Sequence, residues 1–117
     1  MEVQIFGVRN DADTRKALRF FSERRVRIHF VDLKQRAASA GELRRFVQRF
    51  GADALVDRGS SRFRSLGLHQ AHYGADRWLD VLAEEPLLLR TPLVRWKQRL
   101  TVGLDEDAWR GWVAEPR

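Results

Sequence analysis

The chain has no cysteine among its 117 residues. Its own side chains therefore cannot form a disulfide bond, a thiolate metal site or a cysteine nucleophile. The sequence also lacks any apolar run near the roughly 20 residues that cross a bilayer. It does not open with the charged and then apolar segments of a secretory signal. We expect a cytoplasmic protein with no membrane partner.

Histidine is scarce as well, with 3 in the chain. His69 and His72 have a spacing that suits two metal ligands on a helix, but Gly67 and Gly74 flank them and no third ligand is evident. Because a zinc site usually needs three or four protein ligands, we expect no bound metal.

Positive charge exceeds negative charge: 22 Lys and Arg residues against 16 Asp and Glu residues give a formal net charge of +6. Such an excess favours anionic partners, whether an oxyanion, a nucleic acid or an acidic protein face. The carboxylates are interspersed among the bases, however, and there is no dense basic tail, RNA-binding aromatic motif or zinc-finger spacing. Nucleic-acid binding is therefore kept only as a minor alternative.

The chain opens as a strand, a polar loop and a helix. Val3 and Ile5 share one face of a short strand, and from about Ala12 apolar residues recur every three or four positions until about Arg25. The loop Asn10 to Thr14 thus lies at a helix N-terminus, where free N–H groups and the helix dipole favour a reactive thiol or a bound oxyanion. In this chain the loop supplies carboxylates.

The remaining pattern predicts an α/β fold in a single domain, 1–117, with a four-stranded mixed sheet and a helical insertion over about 40–90. A second strand over 27–33 should lie parallel to the first, since a helix connects them. The later predicted elements are a helix over 41–51 with Leu43, Phe46, Val47 and Phe50 on its buried face, a short helix over 53–56, a loop over 69–74, a helix over 75–83, strands over 93–96 and 100–102, and a last helix from the N-cap Asp105 through Val113.

Three stretches of the sequence resemble one known family, in the same order. Ile5 to Leu18 aligns without a gap to the opening of the arsenate reductase (ArsC)/Spx family, whose members often read I-Y-G-L-K-N-C-D-T-C-R-K-A-L. On this alignment the family's nucleophilic cysteine falls on Asp11, and the second cysteine of some members falls on Thr14. A shifted frame would place Ala12 at the cysteine position but would lose the matches over 15–17.

Two later stretches support the resemblance, which covers 3–109. Residues 55–66 are similar to the family's L-L-N-R-R-S-T-T-W-R-x-L and include matches at Arg58 and Arg64. Residues 86–94, followed by 102–104, are similar to P-x-L-I-K-R-P-V-L-V and then V-G-F. Members normally carry an arginine directly before this proline, whereas here Thr91 precedes Pro92 and Arg90 is one residue further away.

The resemblance implies a thioredoxin-like fold in the order β-α-β, helical insertion, β-β-α. In that fold the proline that opens the third strand is usually cis and stands beside the N-terminus of the first helix, so we predict a cis bond before Pro92. In the family a thiolate attacks an oxyanion whose charge arginines stabilise. The anion or ligand candidates that the resemblance implies are Asn10, Asp11, Arg58, Arg64, Arg90, Thr91 and Pro92.

Asp11 has both a functional and a structural explanation. A carboxylate has no accessible redox step, so it cannot start arsenate reduction or thiol–disulfide exchange. It could instead pair with Arg58, Arg64 or Arg90 and close the pocket. Aspartate is also among the best N-cap residues, at about 1 kcal/mol, and we favour this structural role. For Arg58 and Arg64, surface pairing or packing is as well supported as anion binding.

Four functions remain open. We favour an ArsC/Spx-like domain without a redox cysteine that works as a non-catalytic binding or regulatory protein, and the resemblance to Spx implies RNA polymerase as the protein partner. The second is an arsenate reductase-like enzyme that uses an external thiol such as glutathione, although we expect no resident cofactor. The third is a basic nucleic-acid binder, and the fourth is a stable domain whose partner the sequence does not reveal.

Overall fold

The computed structural model describes residues 1–116. Its elements follow in the order β1 (Glu2–Gly7), α1 (Ala12–Glu23), β2 (Arg27–Asp32), α2 (Ala40–Phe50), α3 (Ala52–Leu55), α4 (Ser61–Ser65), α5 (Ala75–Glu84), β3 (Leu93–Trp96), β4 (Arg99–Val102) and α6 (Glu106–Ala114). The chain divides into two compact units, of which the first contains Met1–Asp32 and the segment from Thr91 onward, and the second contains Leu33–Arg90.

The first unit is built on a four-stranded mixed sheet with the strand order β2-β1-β3-β4. β1 runs parallel to β2, with Val3 opposite Ile28, and antiparallel to β3, with Ile5 opposite Val94. β3 and β4 form an antiparallel hairpin. The α/β class and the mixed sheet that the sequence predicted are confirmed.

The core of this unit lies between one face of the sheet and two helices. Val3 and Ile5 are fully buried on that face, as their alternation predicted, and they belong to one apolar cluster with Phe21 of α1 and with Trp109 and Trp112 of α6. The indole Nε1 of Trp109 donates a hydrogen bond of 2.8 Å to the hydroxyl of Thr101. This core fixes the start of α1 beside the end of β1 and the start of β3.

The second unit is helical, and its longest helix begins one residue before the predicted start and closes at Gly51 as predicted. α2 begins at Ala40 behind the N-cap Ser39, whose hydroxyl accepts from the N–H of Glu42. Leu43 and Phe46 are buried, but Phe50 is 37% exposed, so its predicted place on the buried face is wrong. Periodicity identifies the apolar side of a helix, but it does not say how far along the axis neighbouring elements cover that side.

The sequence did not predict three short elements of the second unit, which are α4 and the 3₁₀ turns Leu68–Gln70 and Pro86–Leu88. α4 follows the N-cap Ser60 and buries Phe63 alone, so its sequence has too few apolar residues to show a helical period. Leu68–Gln70 forms a 3₁₀ turn within the stretch predicted to begin a loop at His69. The ring of His69 packs against Phe63 with a centroid distance of 5.3 Å. The helix predicted over 75–83 corresponds to α5.

The contacts of Glu42 at the start of α2 should make the stability of the fold depend on pH. The side chain of Glu42 accepts from the N–H of Ser39 and forms an ion pair of 2.9 Å with Arg36. Hydrogen bonding to Arg36 lowers the pKa of Glu42 to about 2, below its usual value of 4.5. Because the folded-state pKa is lowered, the resulting stability is present above about pH 4.5 and is lost as the pH falls toward 2.

We expect Glu42→Gln to lower the free energy of unfolding by about 0.5–1 kcal/mol at pH 7, since the amide retains the N-terminal cap but loses the ion pair with a half-exposed arginine. The deficit should vanish near pH 2, as measured by urea unfolding across the pH range. Glu84→Gln, at an exposed position at the end of α5, is the control and should stay near zero throughout. If the loss of stability in Glu42→Gln does not change with pH, the ion pair between Glu42 and Arg36 does not contribute to stability.

Candidate functional site

The loop between β1 and α1 brings the end of the strand close to the first helical turn. Gly7 ends β1, and a Cβ atom there would collide with the side chain of Thr14. The N–H of Asp11 donates to the carbonyl of Val8 at 3.0 Å, and the carbonyl of Asp11 accepts from the N–H of Arg15 at 3.0 Å. Asp11 is therefore the residue at which the turn ends and the helix begins.

A single carboxylate oxygen of Asp11 accepts three hydrogen bonds. Its Oδ2 atom lies 3.1 Å from the backbone N of Thr14, 2.8 Å from the hydroxyl of Thr14 and 2.8 Å from the hydroxyl of Thr91. Thr14 is fully buried, whereas Asp11 and Thr91 are partly buried. We call these three residues the Asp11 cluster. The cluster confirms the predicted N-cap role and adds a link from α1 to the residue before Pro92.

The cluster contains three of the positions at which this chain departs from the family motifs. On the motif alignment, Asp11 corresponds to the nucleophilic cysteine, Thr14 to the second cysteine of some members and Thr91 to the arginine before the proline. The substitutions are therefore joined by hydrogen bonds rather than scattered. Pro92 is buried, and the Thr91–Pro92 peptide bond is cis, in agreement with the prediction.

The pairing of Asp11 with Arg58, Arg64 or Arg90 stays a prediction, because these arginines lie in the second unit. Within the first unit, two hydroxyl groups and one backbone N–H bind Oδ2. The cluster supplies neutral donors where an oxyanion site would supply cations.

In the second unit Arg58 is held by an ion pair and by aromatic rings. Its Nη2 atom lies 2.9 Å from a carboxylate oxygen of Asp53. Its guanidinium carbon lies 5.6 Å from the ring centroid of Phe63 and 5.8 Å from that of Trp78. Arg58 thus has the surface pairing that the structural explanation predicted, and a role in anion binding stays a prediction.

The other two candidate arginines are also exposed. Arg64 donates from Nη1 to the carbonyl of Gly59 at 3.0 Å, a bond that ties α4 to the loop before it. The backbone N–H of Arg90 donates to the carbonyl of Leu55 at 2.7 Å, but its side chain has no hydrogen-bond or ion-pair partner within the described chain. Arg90 is therefore the least constrained of the three.

Two basic residues beside the Asp11 cluster were missed by the sequence reasoning. The guanidinium of Arg9 lies 4.7 Å above the ring of Phe30, and Arg15 donates from Nη1 to the carbonyl of Arg9 at 3.0 Å. Asn10, which the sequence did single out, is exposed between Arg9 and Asp11. The hydrogen bond from the Thr14 hydroxyl was also missed. The spacing carried a signal for it, because a hydroxyl residue three positions after an aspartate N-cap can donate back to the carboxylate.

No described residues form a group of three or more His, Asp or Glu side chains that could hold a metal ion. Over the same residues, no helix is long and apolar enough to cross a membrane.

The sheet order, the crossover α1 and the proline beside the start of α1 define a thioredoxin-like α/β protein in which Asp11 caps the first helix. A model of the ArsC family matches residues 6–112. The chain belongs to the ArsC family, which confirms the resemblance seen in its motifs.

Comparison with individual proteins gives the same fold. The global transcriptional regulator Spx 2 of Oceanobacillus iheyensis is 26% identical over 97% of this chain and 84% of that protein. A solved structure described as the YFFB protein superposes with a TM-score of 0.87 at 22% identity and covers 96% of this chain and 99% of the other. An arsenate reductase from Vibrio cholerae superposes with a TM-score of 0.76 at 20% identity, covering 87% and 89%.

Proposed function

We propose that this chain is a non-catalytic member of the ArsC family that acts as a binding or regulatory protein. The observation that carries the proposal is the Asp11 cluster, in which a carboxylate and two threonine hydroxyls replace the groups that the family uses for chemistry. The cluster is satisfied by its own hydrogen bonds, so it contributes to folding without a bound anion.

The chemistry of the cluster supports this proposal. Oxidation or reduction through a cysteine requires a thiolate that cycles between oxidation states, and a carboxylate has no such cycle. A negative charge at Asp11 also repels an incoming oxyanion instead of attracting it. The threonine hydroxyls are neutral and already donate to Asp11. Substrate binding and nucleophilic attack therefore both lose their groups in the first unit.

RNA polymerase is the partner that we propose, on the strength of the transcriptional regulator among the relatives. The regulator matches 97% of this chain at 26% identity, so the likeness extends over nearly the whole sequence. A regulator that acts by binding needs a folded surface and no active-site thiol. A chain that keeps the fold while losing the cysteine meets that requirement.

The alternative is an arsenate reductase that borrows an external thiol, and a turnover assay separates the two. With arsenate, glutathione, glutaredoxin and a glutathione reductase couple, we expect NADPH oxidation no faster than in the absence of the chain. A cysteine-containing arsenate reductase provides the positive control. Turnover that requires this chain and is lost in Arg64→Ala would overturn the non-catalytic proposal and assign the anion role to that arginine.

The partner is tested by affinity purification of the tagged chain from native lysate of its own source. We expect RNA polymerase subunits to be retained after nuclease digestion, because the proposed contact is between proteins. Retention that disappears with nuclease would instead indicate a nucleic-acid bridge. Recovery of the chain alone would contradict RNA polymerase as its partner.

A further inference from the structure

A groove of about 380 Å³ lies in the first unit, beside the β3–β4 hairpin and the end of α6. Its floor is apolar, since Val26 and Trp112 are buried and the rings of Trp96 and Trp112 lie 6.1 Å apart at an angle of 45°. Trp96 itself is only partly buried. Small-molecule sites commonly have volumes of about 300–1,000 Å³, so the groove has room for one small ligand.

Positive charges surround this aromatic floor. The Nζ atom of Lys97 and the guanidinium carbon of Arg99 each lie 5.3 Å from the ring centroid of Trp96, and Arg24 also lines the groove. The one carboxylate among the described lining residues, Glu115, forms an ion pair with Arg99. In the part of the chain that the structure describes, neither Lys97 nor Arg24 has a carboxylate partner. Among the described residues these two cations therefore lack a carboxylate, although Arg24 donates from Nη1 to the carbonyl of Phe20 at 3.0 Å and its guanidinium lies 3.7 Å from the Phe20 ring centroid.

Lys97 also has an unusual backbone conformation. It occupies the turn between β3 and β4 with a φ of 56°, a left-handed conformation in which hairpin turns favour Asn or Gly. The backbone conformation of the turn therefore does not explain why a lysine stands at this position. Its ammonium group is instead held beside the exposed part of the Trp96 ring.

We propose that this groove binds a small organic acid with an aromatic body. The aromatic ring packs against Trp96 and Trp112, and the carboxylate pairs with Lys97 and Arg24. Aromatic packing provides the apolar contact area, and the two cations, which have no carboxylate partner among the described residues, select an anion over a neutral or cationic analogue. The site is separate from the Asp11 cluster and does not depend on the proposed partner.

The test follows the indole N–H signals of the four tryptophans by NMR while indole-3-acetate or its neutral isostere indole-3-acetamide is added. We expect the acid to shift the signals of Trp96 and Trp112 but not that of Trp78 in the second unit. The amide should bind at least threefold more weakly, because it gains nothing from the cations.

Substitutions then assign the charge. Lys97→Gln should weaken binding of the acid about threefold and leave binding of the amide unchanged, as expected for one exposed ion pair. Lys16→Gln, an exposed lysine of α1, is the control of equal charge change and should have no effect. Trp96→Ala should abolish binding, and the Lys97 variant serves as the test if that protein does not fold.

Three outcomes would overturn the proposal. Equal affinity for the acid and the amide would remove the role of the cations. Shifts of the Trp78 signal alone would show that the ligand does not bind in the groove. The absence of any shift at about 10 mM ligand would show the same, because that concentration reveals even millimolar binding. A short acidic peptide that contains one tryptophan and has blocked ends is tested in parallel. Binding of the peptide without binding of indole-3-acetate would show that the groove recognises a protein segment.

Discussion

Trp109→Ala is expected to lower the free energy of unfolding by about 3–5 kcal/mol, the range found when a large aromatic side chain is removed from a core. Trp109 is fully buried, and its ring lies 5.6 Å from that of Phe20 and 5.4 Å from that of Phe21. The substitution therefore leaves a cavity between α1 and α6 that small shifts cannot fill. Since domains of this size have about 5–15 kcal/mol of stability in total, the loss is a large share.

Urea unfolding followed by circular dichroism measures this loss, and two variants separate its causes. Thr101→Val removes the hydroxyl that accepts from the Trp109 indole, and we expect it to lower stability by about 1–3 kcal/mol because it leaves a buried N–H unpaired. Phe50→Ala is the control for an exposed aromatic residue and should lower stability by less than about 1 kcal/mol. If Trp109→Ala lowers stability no more than Phe50→Ala, the described core is wrong.

The sequence predicted the first unit well because its elements combine period and end signals. Val3 and Ile5 alternate, the apolar residues of α1 recur at helical spacing, and Asp105 marks the start of α6. In the second unit the signals are weaker. α4 buries one residue, so its existence does not follow from period alone. Phe50 lies at the end of its helix, so period alone does not show that this ring is exposed.

The candidate site was predictable in its positions but not in its contacts. Alignment to the family motif placed Asp11 and Thr91 at altered positions of one site, and the fold brings them within 2.8 Å of each other. The sequence did not show that a threonine would donate to Asp11, because charge alone suggested an arginine partner. Hydrogen bonds between residues 80 positions apart depend on tertiary geometry that a local pattern does not contain.

Asp11→Ala is expected to lower the free energy of unfolding by about 2–3 kcal/mol at pH 7. About 1 kcal/mol of this is the loss of a helix N-cap. The remainder comes from the Thr14 and Thr91 hydroxyls, which lose their acceptor. The chain offers a matched control in Asp105, another aspartate N-cap, whose side chain accepts, among the described residues, from the N–H of Ala108 alone. Asp105→Ala should therefore lower stability by about 1 kcal/mol.

The link between the two altered family positions is measured by combining Asp11→Ala with Thr91→Val in a double-mutant cycle. We expect a coupling energy of about 0.5–1.5 kcal/mol, because each single substitution breaks the same hydrogen bond. Asp105→Ala combined with Thr91→Val should show none. A coupling energy of zero, together with an equal loss of stability in Asp11→Ala and Asp105→Ala, would mean that Asp11 acts only as a helix N-cap. The measured coupling would show that the residues aligned with the reactive cysteine and with the arginine stabilise the fold together.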